Sequence, residues 1–156
     1  MMDSQREAVY HAEHRLRRWL DQTGPVTVFG SRWDLEPDIR FVGIPDVQRY
    51  VDKVLGHLGR DDKVGVRARR GMRKAHYCDG VISIPPRSIG GEWALREIVV
   101  LHEIAHHLAG VHGHGPLFTR AFLDLLDATG KPMTARVLQA AFWEAGVQIA
   151  PHTANV

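Results

Sequence analysis

Five of the ten histidines in this 156-residue chain fall between His102 and His114. Within that run, His102-Glu103-Ile104-Ala105-His106 places two imidazoles four residues apart. On an α-helix this spacing sets two side chains one turn above the other on a single face. Both rings can then converge on one ion. Borderline-soft Zn2+ accepts imidazole nitrogen at about 2.0–2.1 Å, and a site that keeps an open position uses three protein ligands. Glu103 stands about 100° further round such a helix. There it can take a proton from a water without occupying a ligand position, as a general base does. A pattern of this kind constrains the fold, because the helix must be held to roughly half an ångström by its surroundings.

The flanking sequence supplies the means to hold it. A helix is predicted over Glu92–Ala109, in which Ile98, Leu101, Ala105 and Leu108 form an apolar stripe and Leu95 and Val99 lie behind His102. Gly110 and Gly113 give a sharp exit, and Pro116 opens the next helix. The third ligand is open at this level. His114 can fold back after the glycine turn. His112 lies ten residues after His102, the spacing of HExxHxxGxxH sequences, although the glycine that pattern wants at Ala109 stands one residue late. Asp124 and Asp127 on the following helix could supply an oxygen.

Elsewhere the pattern reads as helix, strands, helix, strands and three helices. Val9, Ala12, Leu16 and Leu20 make a stripe on a first helix over Glu7–Leu20, followed by a strand at Val26–Phe29 and a turn-rich connection over Gly30–Pro37. A second strand is expected at Ile39–Ile44. Asp46 then caps a helix bearing Val47, Tyr50, Val51, Val54, Leu55 and Leu58. Strands follow at Val64–Ala68 and within Ala75–Pro85. After the histidine run come helices at Pro116–Ala128 and Thr134–Ala145. This order implies an α+β fold, with a small mixed sheet against the metal helix and further helices. One domain over 1–150 and a frayed tail over 151–156 are expected. No GxGxxG or GxxxxGK[ST] pattern marks a nucleotide site.

Composition narrows the remaining classes. Apolar residues make 44% and the net charge is only +2, so charge alone does not demand a nucleic-acid partner. No apolar run reaches membrane-spanning length. A lone cysteine, Cys78, permits no intrachain disulfide, and with no export signal in view a cytoplasmic location is expected. Cys78 reads as a buried or inert thiol, and Met133 and the scattered Trp19, Trp33, Trp93 and Trp143 read as packing.

The segment HEIAHHLAGVHGHGPLF resembles the active-site segment of compact zincin metallopeptidases, closest to the SprT-like group. There HExxH is followed by an HGxxF-type segment whose histidine completes the zinc site. His102, Glu103 and His106 match the first motif, and His114, Gly115 and Phe118 match the second. It is also similar to small actinobacterial proteins classed as HExxH metallohydrolases. The resemblance implies Zn2+ on His102, His106 and His114, with Glu103 as general base, and a peptide or protein substrate. By the same resemblance, the strand at Gly80–Ile84 would align an extended peptide above the metal. The close match spans His102 to Phe118, and the chain lacks the four-cysteine ribbon of the DNA-associated members.

Other residues could serve such a site. His107, His112, His76 and Tyr77 are candidate donors to a developing oxyanion, although plain helix or strand roles explain His107, His76 and Tyr77 more simply. Arg67, Arg69, Arg70, Arg73 and Lys74 form a basic run able to meet phosphates. An alternative function follows from it: a non-enzymatic, zinc-stabilised binding protein associated with nucleic acid, its metal closed by four ligands including His112. The oligomeric state is not encoded in any recognisable pattern.

Overall fold

A computed structural model of the chain describes residues 2–71 and 74–152. Arg73 of the basic run and positions 153–156 of the expected tail lie outside the described residues. The fold is α+β, and the chain divides into two units, Asp38–His112 and Met1–Pro37 with Gly113–Val156.

The Asp38–His112 unit is built on a mixed sheet. Its strands β3 (Gly65–Ala68), β4 (His76–Cys78) and β5 (Val81–Ile84) lie in the order β3-β5-β4. β3 runs parallel to β5 and β4 antiparallel to it. Strand alternation sorts the faces. Ile82 and Ile84 are fully buried, and Val66 and Tyr77 share a register row with Ile82. The neighbouring row sets Arg67, Ser83 and His76 side by side, with Arg67 Nε donating to Ser83 Oγ at 3.0 Å. α2 (Ile44–His57) packs on β3, and α3 (Glu97–Ala109) packs on β4 and α2.

Two expectations change in this unit. Ala75–Pro85 holds a hairpin rather than one strand. Asp79 and Gly80 both have positive φ (47° and 81°), as a two-residue I′ turn requires. Ile39–Ile44 forms no strand; it contributes one antiparallel bridge, Arg40 to Arg96. That bridge delays the start of α3 from Glu92 to Glu97. Arg96 is extended there (φ −144°), and two 3-10 turns, Arg87–Ile89 and Gly91–Ala94, fill the approach. Leu95 therefore precedes the helix. Gly91 has no room for a side chain, since a Cβ would meet the Pro85 carbonyl oxygen at 1.8 Å.

The helix start is held from a distance. Asp38 Oδ1 accepts from the Ile98 backbone N–H at 2.9 Å, serving a donor that a helix N-terminus leaves open. Its Oδ2 takes Arg96 Nε at 2.5 Å, with both side chains only 5% exposed. Glu97 accepts from Tyr50 Oη at 2.5 Å and from Ile39 N–H at 3.3 Å. Asp46 accepts from Val42 N–H instead of capping, because α2 already begins at Ile44.

The second unit is mostly helical. α1 (Arg6–Leu20) and α4 (Pro116–Ala128) both pack on α5 (Pro132–Glu144). Val9, Ala12 and Leu16 from α1, Phe118, Phe122 and Leu126 from α4, and Val137, Leu138 and Phe142 from α5 are fully buried. A hairpin of β1 (Val26–Val28) and β2 (Ser31–Trp33) turns through Phe29 and Gly30, both at positive φ, where a strand and a plain connection were expected. Glu36 caps α5, accepting from the backbone N–H groups of Met133 and Thr134 and from the Thr134 hydroxyl. These bonds hold its carboxyl below the usual range although burial pushes it up. Trp143 is 84% exposed on α5, not a packing residue.

Candidate metal centre

α3 is not an amphipathic surface helix. Every residue from Glu97 through His106 is buried, so packing fixes the backbone beneath the histidines on all sides. His102 and His106 lie one turn apart with ring centroids 5.0 Å from each other, edge to face. The helix ends where Gly110 adopts a left-handed conformation (φ 68°), its N–H reaching the carbonyls of His106 and His107. That reversal is open to glycine at little cost. Four residues later His114 precedes Gly115, the N-cap of α4.

His102, His106 and His114 each offer a ligand nitrogen, and these atoms lie within 4.8 Å of one another. All three residues are buried, at 5–7% exposure. They form a three-ligand site that matches the HExxH zincin-like pattern. Among the described residues no fourth histidine, cysteine or carboxylate joins the group. His112 is therefore not part of it. Asp124 instead pairs with Arg120 at 3.3 Å and with His152 at 3.4 Å, and Asp127 is likewise outside the group.

Hydrogen bonds set the tautomers of two of the rings. His106 Nδ1 lies 3.0 Å from the Val111 carbonyl oxygen, which can only accept, so Nδ1 carries the proton. His114 Nδ1 lies 2.7 Å from Asp3 Oδ2, and the same reasoning applies. In both rings Nε2 is then the unprotonated nitrogen, the form a ligand requires. Two such nitrogens and the ring of His102 suit Zn2+, a borderline-soft ion that favours imidazole. Asp3 also accepts from the His114 backbone N–H at 3.0 Å. Burial pushes its carboxyl up, and the His114 bonds outweigh this to hold it below the usual range. Glu103, 5% exposed, brings Oε2 to 4.0 Å from His102 Nε2, beside the ligand group.

The other sequence candidates separate. His107 is engaged at both nitrogens: Nδ1 lies 2.7 Å from Tyr77 Oη, and Nε2 lies 2.5 Å from Asp62 Oδ2. Tyr77 Oη also accepts from the Gly80 N–H at 3.0 Å. Periodicity gave no warning of Asp62, which sits 45 residues before its partner. Asp3, 111 residues from His114, was equally invisible. His76 is exposed on β4, and burial together with the charges of Arg69, His112 and Arg67 lowers its pKa. Cys78 is exposed rather than buried. Desolvation and the adjacent Asp79 push its thiol up, which keeps it protonated.

The strand expected to align a substrate, Gly80–Ile84, is β5, the central strand, paired on both sides. Its backbone groups are spent on β3 and β4. The edge nearer α3 belongs to β4. No described helix is long and apolar enough to cross a membrane. Compared with known proteins, the chain matches no family model, no curated protein and no solved structure.

Proposed function

We propose that the protein is a zinc-dependent hydrolase, a metallopeptidase in which Glu103 is the general base. The observation that carries this reading is a three-nitrogen site with a buried carboxylate beside it and no fourth protein donor among the described residues. Structural zinc sites are closed by four protein ligands, whereas catalytic ones keep a position open. When bound, Zn2+ would lower the pKa of a water and polarise a substrate carbonyl.

The chain's own residues do the rest. His102, His106 and His114 hold the ion. Glu103 accepts the proton of the attacking water and returns it to the leaving nitrogen. Its burial keeps competing water away and strengthens its electrostatic hold on that proton. An extended peptide would run along the free edge of β4, adding a strand through main-chain bonds. Three donors weigh against the alternative of a closed structural zinc in a nucleic-acid-binding protein, which needs His112 as a fourth ligand. Arg67, moreover, spends one guanidinium bond on Ser83.

The test is turnover of a mixed peptide library by zinc-loaded protein. Glu103→Gln is expected to keep one equivalent of zinc and to lose activity by about 10²-fold or more. Cleavage undiminished in that variant, or none by the zinc-loaded parent, overturns the reading.

A further inference from the structure

We infer that Asp3 is a positioning residue for the metal, fixing the ring of His114 so that zinc affinity depends on the short segment ahead of α1. This rests on reading His102, His106 and His114 as the zinc ligands.

The three rings are not held alike. His102 and His106 ride on a helix whose backbone is buried throughout. His114 lies in the loop between α3 and α4, where no helical ladder fixes its backbone. Its geometry is set by side chains instead. Both oxygens of Asp3 are committed to it, one to the ring Nδ1 and one to the backbone N–H. That two-point grip fixes the tautomer and the torsion that aims Nε2. Gln5 secures the other side of the same residue, donating Nε2 to the His114 carbonyl at 2.9 Å. Gln5 is itself anchored on Gln148, accepting from its N–H at 2.7 Å and donating to its carbonyl at 3.2 Å. Tyr10 and Phe118 meet the imidazole edge-on at 4.9 and 5.0 Å.

A carboxylate on the far nitrogen of a ligating histidine orients the ring and raises its basicity. Losing such a partner costs about 10–100-fold in metal affinity. A purely structural Asp3, tying a loop to the segment before α1, would stabilise the fold without that specific effect on the metal.

The experiment measures Zn2+ affinity by competition with a chromophoric chelator for the full chain, Asp3→Asn and Asp3→Ala, each also in a His114→Ala background. Asp3→Asn keeps the shape and removes the charge, so it reports even if Asp3→Ala folds poorly. Weakening of about 10–100-fold in the intact background is expected, vanishing once His114 is gone. Co2+ absorption should shift in the single variants, because the third nitrogen is no longer aimed. Affinity unchanged by either substitution, or an equal loss without His114, overturns the role of Asp3 alone. A parent chain that takes up no zinc overturns the site itself, a separate outcome.

Discussion

His106 and His107 are neighbours on one helix, yet they do opposite work. The inner histidine sets Nδ1 on the Val111 carbonyl and joins His102 and His114 in the metal-ligand group. The outer one spends both nitrogens, on Tyr77 and Asp62, and ties α3 to β4 and to the loop before β3. A histidine whose Nδ1 faces a pure acceptor is a pre-oriented ligand; one clamped between a hydroxyl and a carboxylate is a strut. Identity does not separate the two, whereas burial and bonding partners do: His106 is buried and His107 only half-buried.

This contrast can be broken most severely at the inner position. His106→Ala should abolish stoichiometric zinc, measured by elemental analysis, while circular dichroism stays that of a folded protein. The outer position should behave in reverse. His107→Ala should keep its zinc but unfold at a lower denaturant concentration, because α3 loses its ties to Tyr77 and Asp62. Zinc lost from the second variant as fully as from the first would erase the distinction. Tyr77→Phe sharpens it, removing the bond to His107 and the one from the Gly80 N–H for about 0.5–1.5 kcal/mol each, with zinc again retained.

The smallest effect tests a carboxylate that serves a helix rather than a histidine. Glu36 has its folded pKa lowered from 4.5, so its stabilisation is complete above that value and fades as pH falls through the lowered one. Glu36→Gln should cost about 1 kcal/mol near neutrality and nothing in strong acid, where the parent carboxyl is protonated. Unfolding curves from pH 7 down to pH 2 would show the two proteins converging. A gap that persists at the acid end would contradict the assignment.

The sequence announced elements wherever the signal was local. Pro116 and the residues up to Gly130 set α4 at Pro116–Ala128, as the chain itself indicates. The HExxH spacing located the metal helix, and the HGxxF-type resemblance pointed to His114. What stayed hidden was tertiary. The start of α3 is set by the Arg40–Arg96 bridge and by Asp38, partners some sixty residues away that no window can contain. β2 depends on Phe29 taking a left-handed turn, a conformation the residue seldom adopts. The Asp79-Gly80 pair was a legible turn signal, and the run of strand formers around it masked the hairpin. Asp3 and Asp62 reach their histidines across the fold, and nothing near either in sequence hints at the contact.

Burial of α3 on every side from Glu97 to His106 has a consequence for how metal would come and go. Backbone amides in such a helix exchange with solvent only through the largest opening of the unit, while a glycine-rich loop opens at little cost. In heavy water the amides of Val100–His106 should be among the last to pick up deuterium, and those of Val111–Gly113 among the first. Two of the three ligands thus stand on the slowest-breathing part of their helix, and the third is a loop residue held by the side chains of Asp3 and Gln5. Ion exchange is expected on the His114 side, at a rate set by release of its bonds to Asp3 and Gln5 rather than by the stability of the helix.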